Sequence, residues 1–319
     1  MKYKILLYFF LPILFFSCNN NLETKSPNVI IVITDDQGYG DIGYNGNPHL
    51  ITPNLDKFAG ESIRFNNFNV SPVCAPTRSS LLTGRYSLRT GVTDTYNGGA
   101  IMSSNEITLA EIFNENNYKT GIFGKWHLGD NYPSRPSDQG FQESLIHLSG
   151  GIGQVGDFTN YYKGSTSYYD PILWLNNKQE KYNGYCSDIF TDEAIKFIED
   201  NKDNQFFCYL SFNAPHTPLQ VPDKYYQMYK DIDPTNINGE SLEMTEKNIL
   251  DAKKIYGMVT NIDENFGKLI NKLDELNLEE NTIIIFMTDN GPQQPRYVSN
   301  LKGLKSQVYN GGIKVPFYL

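Results

Sequence analysis

Residues 28–40 read Asn-Val-Ile-Ile-Val-Ile-Thr-Asp-Asp-Gln-Gly-Tyr-Gly, an apolar run that ends in two acids and a glycine-rich stretch. The run at 29–33 is mostly β-branched and does not alternate with polar residues, which indicates a strand covered on both faces, as in a parallel sheet. Asp35 and Asp36 follow at its carboxyl end, where open α/β sheets bind their ligands. Because adjacent carboxylates repel unless a cation joins them, this stretch predicts an α/β fold with a hard-metal site.

The same design recurs at three further predicted strands. Each is a short apolar run followed by polar side chains: 118–123 precedes Lys125 and His127, 206–212 precedes His216 between two prolines, and 282–287 precedes Asp289 and Asn290. Residues with helical periodicity lie at 108–116, 188–201 and 250–276. The sequence therefore predicts a large, mostly parallel central sheet flanked by helices, with these polar groups gathered at one edge.

A cysteine stands where a loop is predicted to turn into a helix. Residues 73–85 read Val-Cys-Ala-Pro-Thr-Arg-Ser-Ser-Leu-Leu-Thr-Gly-Arg. Pro76 suits the first helical position, Ser79 and Ser80 suit a first turn, and Gly84 suits the end of the helix. Cys74 would then lie at the positive end of the helix dipole. This pattern alone fits a buried structural cysteine and a thiolate or anion site equally well.

Composition limits the classes of function. The chain has 319 residues, enough for one large α/β domain or for one domain with a smaller partner. Its formal net charge of −9 argues against nucleic-acid binding by general attraction to phosphates. Four cysteines, at 18, 74, 186 and 208, do not make a disulfide framework. Cys186 and Cys208 either pair or remain as buried thiols.

The N-terminus predicts export. Two lysines within the first four residues precede an apolar run at 5–16 and then Ser17-Cys18. We expect a signal peptide at 1–17, a linker at 18–27 and a catalytic domain at 28–319. Lipidation of Cys18 would anchor the protein to a bacterial membrane, in the periplasm or at the cell surface. The alternative is a plain secretory signal followed by a spare cysteine.

Two loop regions have an unusual composition. Residues 150–185 are rich in Gly, Tyr, Asn and Ser and carry aromatic residues that would either stack on carbohydrate or simply pack: Tyr161, Tyr162, Tyr168, Tyr169 and Trp174. Residues 300–317 contain three lysines and three glycines, which indicates either a loop that brings a positive group to an anion or a turn before a strand.

Taken together, these segments resemble the formylglycine-dependent sulfatases of the alkaline-phosphatase-like superfamily. The resemblance runs from Asn28 to Phe317. It rests on motifs that the sequence contains at 34–36, 74–78 with 83–85, 124–127, 215–216, 288–291, and 303–305 with 311–312.

The resemblance implies a role for each matching residue. Cys74 corresponds to the cysteine that a maturation enzyme converts to formylglycine, whose hydrate offers one hydroxyl to attack sulfur and another to expel sulfate. Residue 74, together with Asp35, Asp36, Asp289 and Asn290, corresponds to the ligands of one calcium ion. The remaining catalytic matches are Arg78 and His127 at the aldehyde hydrate, Lys125 and Lys305 at the sulfate, and His216 near the leaving oxygen.

The implied activity is hydrolysis of sulfate esters, with sulfated carbohydrates as the expected substrates. A phosphoester or phosphonate-ester hydrolase of the same superfamily is the alternative enzyme, and a non-catalytic lipoprotein that binds sulfated glycans is the alternative of another class. Kinetics with paired aryl sulfate and phosphate esters separate the two enzymes. Mass spectrometry of the peptide that contains residue 74 separates enzyme from binder.

The sequence departs from the family pattern in several places. Thr77 stands where serine is usual, while Lys302, Asn310 and Lys314 replace a more usual arginine, glutamate and arginine. Family members continue into a smaller C-terminal antiparallel subdomain. We therefore expect the sequence that ends at Leu319 to be a C-terminally truncated form.

Overall fold

The computed structural model describes residues 26–96, 98–153, 167–237 and 240–319. The predicted signal peptide, Cys18, Tyr161 and Tyr162 lie outside these ranges.

The described strands are β1 Asn28–Thr34, β2 Lys119–Lys125, β3 Glu143–His147, β4 Ile172–Leu175, β5 Lys178–Lys181, β6 Phe206–Ser211, β7 Asn236–Ile237, β8 Glu240–Ser241, β9 Thr282–Thr288 and β10 Phe317–Tyr318. Eight of them form one mixed sheet in the order β10-β9-β1-β6-β2-β3-β4-β5, and β7 pairs with β8 in a separate hairpin. The pairs from β9 to β3 are parallel, whereas β10, β4 and β5 are antiparallel to their neighbours.

The first strand lies inside the sheet, as its apolar run predicts. β1 pairs in parallel with β6 on one side and with β9 on the other. Ile30 and Val32 pack into the core on one face, while Ile31 and Ile33 pack into the core on the other. Since successive side chains of a strand point to opposite faces, a continuous apolar run is what a sheet covered on both sides requires. The predicted α/β class is confirmed.

Helices cover both faces of this sheet. The described helices are α1 Pro53–Glu61, α2 Cys74–Thr83, α3 Leu109–Glu115, α4 Cys186–Asp200, α5 Asp223–Tyr229, α6 Glu246–Glu275 and α7 Asn310–Ile313. The core on one face includes residues of α1, α4 and α6, and the core on the other includes residues of α2 and α3.

Local signals set several helix boundaries. Thr108 and Glu111 form the predicted capping box of α3, in which each side chain bonds the backbone N–H of the other residue. By contrast, α6 begins four residues before the predicted Leu250, because the Thr245 side chain accepts a bond from Asn248 N and caps a polar first turn. Apolar periodicity could not reveal that turn.

The helix that follows the loop at Val73 differs in detail from the prediction. Gly84 ends α2 in the left-handed conformation at φ 66°, as expected. Pro76, however, is its third residue rather than its first, and Ser79 and Ser80 lie in its middle. The prediction for these three residues was wrong, because the extended Val73 serves as N-cap. Proline is tolerated there since the first four N–H groups of a helix have no partner within the helix.

Two open questions of the sequence are answered. Cys186 and Cys208 are buried free thiols and do not pair. Tyr168 is fully buried, which supports the packing interpretation for this tyrosine.

No helix within the described ranges is both long and apolar enough to span a bilayer.

Candidate active site

The structure brings together all the residues that the sequence placed at one edge of the sheet. Asp35 and Asp36 follow β1, Lys125 ends β2, and Asp289 and Asn290 follow β9. His127 and His216 lie in the loops after β2 and β6, Cys74 begins α2, and Lys305 lies in the loop before α7. Each of these residues is buried except Lys305, whose side chain is 12% exposed.

Each carboxylate of this site is paired with a cation. Lys125 Nζ lies 2.6 Å from Asp35 Oδ2, and Lys305 Nζ lies 2.6 Å from Asp36 Oδ1.

Asp289 Oδ2 accepts two bonds from Arg78, from Nη2 at 2.8 Å and from Nε at 3.0 Å. Two-nitrogen contacts of this kind fix orientation as well as distance. The groups predicted to bind a metal and those predicted to bind an anion are therefore in direct contact.

The pKa values reflect this crowding. Burial alone would raise the pKa of the Asp36 carboxyl, but the charge of Lys305 and the hydrogen bonds from Lys305 and Asn290 hold that pKa well below its usual value. Burial and the charge of Asp35 raise the pKa of Asp289 to about 6, against the opposing effect of Arg78. Asp36 and Asp289 are both ionised at neutral pH. The pKa of Asp289 is the closer of the two to neutral pH, because Asp289 lies among other carboxylates.

The oxygen atoms left over suit a hard cation. Within the described part of the chain, Asp35 Oδ1, Asp36 Oδ2 and Asn290 Oδ1 are buried without a hydrogen-bond partner. Single ligand atoms of Asp35, Cys74 and Asp289 lie within 4.8 Å of one another. Calcium prefers carboxylate and amide oxygens, and buried oxygen atoms without a partner are costly unless something binds them. This donor set fits the calcium ion that the resemblance implies.

Cys74 is a poor nucleophile as a thiol. Burial raises its pKa, and the charges of Lys125 and Lys305 do not compensate. Burial therefore disfavours the interpretation of a thiolate activated at a helix N-terminus, because desolvation opposes the favourable charges.

His127 has one ring nitrogen in use and one available. Its Nε2 lies 2.8 Å from the carbonyl oxygen of Thr95, which can only accept, so Nε2 carries the proton. Nδ1 is buried and has no partner among the described residues. Burial and the charge of Lys125 lower the pKa of His127 well below its usual value. The ring is neutral, with a bare Nδ1.

His216 lies in the predicted rigid turn, where both Pro215 and Pro218 follow cis peptide bonds. Its Nδ1 lies 2.7 Å from Thr217 O, so Nδ1 carries the proton, and Nε2 lies 3.7 Å from Asp36 Oδ2. Burial lowers the pKa of His216 to about 3 despite that carboxylate. The hydroxyl of Tyr168 lies 2.6 Å from His216 O and so supports the turn.

The loop that carries Lys305 is fixed on both sides. Lys305 N donates to Pro292 O at 2.9 Å, and Ser306 N donates to Pro72 O at 2.8 Å. The loop therefore bridges the segment before Cys74 and the segment after β9. This supports the interpretation of the lysine-rich stretch as a loop that delivers a positive group.

Three of the residues that depart from the family pattern lie in or near this loop and make contacts of their own. Lys302 lies over the ring of Tyr309 at 4.2 Å, and Lys314 lies over the ring of Tyr39 at 4.7 Å. These cation–π contacts use the lysine charges locally. Asn310 is the exposed first residue of α7.

Sequence reasoning missed one residue within this network, Ser211 at the end of β6. Its Oγ accepts from Arg78 Nη1 at 2.5 Å and donates to Lys125 O at 2.8 Å. A serine inside an apolar strand was the only signal available. The neighbouring Gly124 has φ 119°, and a Cβ there would lie 1.8 Å from Ser211 O, so only glycine permits this approach of β2 to β6.

Comparison with known proteins agrees with this arrangement. The sequence profile of the Sulfatase family matches residues 27–319. Arylsulfatase J of Mus musculus is 30% identical over 302 residues, which cover 91% of this chain and 47% of that protein. The ulvan-active sulfatase of Formosa agariphila is 30% identical over 311 residues, which cover 93% and 56%. The chain thus spans about half the length of these curated relatives.

A solved structure shares the fold. The crystal structure of Ps i-CgsB in complex with k-i-k-neocarrahexaose superposes with a TM-score of 0.77 at 32% identity, covering 92% of this chain and 65% of that one. The sheet and its polar edge define an α/β domain of the alkaline-phosphatase-like type. The chain belongs to the sulfatase family.

Proposed function

We propose that this protein hydrolyses sulfate esters, using formylglycine at position 74 and one bound calcium ion. The observation that carries the proposal is the surroundings of Cys74. Oxygen ligands and three cationic groups meet at the helix start where this residue lies. Membership of the sulfatase family supports the same reaction.

Five residues would hold the metal: position 74, Asp35, Asp36, Asp289 and Asn290. When bound, a calcium ion supplies Lewis acidity and charge stabilisation at the transferring group. The thiol of Cys74 is only the precursor of the aldehyde, whose hydrate supplies a nucleophilic hydroxyl and a second hydroxyl for release of sulfate.

His127 is suited to act as the base. Its bond to Thr95 O fixes the tautomer, and the bare Nδ1 can accept a proton from a hydroxyl at position 74. Because its pKa is low, the ring is already in the basic form at neutral pH.

The lysines bind the anion and supply a proton. An ammonium group has three donors, and the carboxylate contacts of Lys125 and Lys305 leave others for sulfate oxygens. His216 presents an unprotonated Nε2 and has no proton to give there. Proton delivery to the departing alcohol is therefore assigned to Lys305, which Asp36 keeps protonated by raising its pKa against the effect of burial. His216 would accept a hydrogen bond from the substrate.

A sulfated carbohydrate is the proposed substrate class. The relatives include an ulvan-active sulfatase, and the matching structure holds a neocarrahexaose. Tyr96, adjacent to the residue that orients His127, is 64% exposed and could stack on a sugar ring.

We also propose export by the signal at 1–17 and anchoring through a lipid on Cys18, which membrane fractionation of Cys18→Ala against wild type would test.

The test of the reaction is expression with a formylglycine-generating enzyme, followed by two measurements. Mass spectrometry of the peptide that contains residue 74 should show the aldehyde, and the protein should release sulfate from an aryl sulfate faster than phosphate from the matched aryl phosphate. Preference for phosphate would overturn the assignment. Unconverted thiol without sulfate release would favour the non-catalytic glycan binder.

A further inference from the structure

Two buried residues that the sequence did not single out join the loops that carry the proposed metal ligands. Asp41 lies in the loop after β1, and Arg296 lies in the loop after β9. Arg296 Nε lies 2.9 Å from both carboxylate oxygens of Asp41, and Nη2 lies 2.6 Å from Oδ2. Both side chains have no accessible surface. Such a pair fixes the relative orientation of the two loops.

The same guanidinium holds the backbone of a ligand residue. Arg296 Nη2 donates to the carbonyl oxygen of Asp36 at 2.7 Å, and Nη1 donates to Gln294 O at 3.1 Å. On the other side, Asp41 Oδ2 accepts from Gly38 N at 2.8 Å. The loop of Asp36 is thus tied at two points to one buried ion pair.

Asp36 has a backbone that requires such support. Its φ of 61° lies in the left-handed region, which non-glycine residues adopt uncommonly. Lys305 and Asn290 bond its side-chain Oδ1, an atom that belongs to a proposed metal ligand. The Arg296 bond uses the main-chain carbonyl instead and therefore persists whatever the carboxylate binds.

We propose that Arg296 and Asp41 form a positioning pair that holds Asp36 in the conformation required for cation binding. Neither side chain touches the reacting groups, so both act through Asp36. The inference rests on the proposed function for the identity of the cation.

The test is a calcium titration of the full chain by calorimetry, with folding checked by circular dichroism. Replacing Arg296 with methionine should weaken calcium binding about 10- to 100-fold, as is typical for partners of metal ligands. The double variant Asp41→Asn/Arg296→Met avoids a buried unpaired charge and should show the same loss. Arg296→Lys should recover part of the affinity, because one ammonium can still face Asp41 and the Asp36 carbonyl.

A matched control separates positioning from general stability. Asp263 in α6 is also buried, and its carboxylate accepts hydrogen bonds from Asn54 and from the backbone N–H of Leu55 at 2.7 Å, two residues that do not belong to the site. Asp263→Asn should lower the urea midpoint and leave calcium affinity unchanged. Wild-type affinity in the folded double variant would overturn the inference alone. A wild-type chain that binds no calcium would overturn the metal assignment of the proposed function and this inference with it.

Discussion

Replacing Ser211 with alanine removes the hydroxyl that links Arg78 to the end of β2. This hydroxyl accepts from Arg78 Nη1 at 2.5 Å and donates to Lys125 O at 2.8 Å, and its residue is fully buried. The change deletes one small polar atom and leaves both bonds from Arg78 to Asp289 in place. The effect is therefore confined to the anchoring of the guanidinium.

The structure sets the expected magnitude. A bond to a charged group contributes about 1.5–3 kcal/mol, and a neutral bond contributes about 1 kcal/mol. Ser211→Ala removes one bond of each kind, from Arg78 and to Lys125 O, and both partners stay buried. We therefore expect the free energy of unfolding to fall by about 3 kcal/mol. Arg78 is proposed to act at residue 74, so turnover should fall about 10- to 100-fold, as for other residues that orient groups at a metal site.

The assay pairs urea unfolding with sulfate release from an aryl sulfate. Ser79→Ala is the matched control, because the Ser79 hydroxyl is equally buried but donates to Pro76 O within α2, at 3.0 Å, and not to a group of the site. The control should lose about 1 kcal/mol of stability and keep its turnover. If the Ser211 variant were no less stable than the control and turned over at the wild-type rate, the proposed anchoring of Arg78 would be refuted.

Four further outcomes are expected. Thr108→Ala should lower the unfolding free energy by about 1 kcal/mol in urea, because the bond to Glu111 N is lost. Calcium at about a hundred times its Kd should raise stability by about 2.7 kcal/mol over chelator-treated protein, measured by thermal unfolding. With calcium saturating, so that the Asp289 carboxylate is held ionised, the acid limb of the kcat profile should lie well below pH 6.5, since burial and Lys125 lower the pKa of His127 and its basic form is lost only as pH falls through that lowered value. Tyr96→Ala should raise KM for a sulfated oligosaccharide several-fold without changing kinetics on an aryl sulfate, and an equal loss on both would exclude stacking.

Much of the fold follows from short-range patterns. The apolar run of β1 predicts a strand buried on two faces, and the structure places β1 between two parallel neighbours. The capping box at Thr108 fixes the start of α3. Polar turns are harder to predict, because the first turn of α6 depends on a hydrogen bond from Thr245 rather than on apolar spacing. The order of the strands is set by contacts distant in sequence, which no local pattern contains.

The residues of the candidate site likewise fall into those that local sequence patterns predict and those that they do not. The acidic residues, Lys125 and the two histidines could be predicted because each lies at or after the end of a strand at the common edge. Arg78 and Lys305 do not follow a strand, and only the family resemblance assigned them to the site. Local sequence patterns could not identify Ser211, Asp41 and Arg296, because the role of each depends on hydrogen-bond partners that are distant in the sequence. Arg296 lies 255 residues from Asp41, and its bond to the Asp36 carbonyl involves backbone that has no residue signature.

The charges of the site suit the proposed reaction. Three ionised carboxylates are opposed by three cationic groups, and both histidines are neutral: Asp35, Asp36 and Asp289 against Arg78, Lys125 and Lys305. These charges cancel, so a calcium ion would make the site positive although the chain carries a formal net charge of −9. A sulfate monoester enters with one negative charge, and free sulfate leaves with two. Attraction to the transferring group therefore grows as the ester bond breaks, and interactions that strengthen toward the transition state are those that lower the barrier.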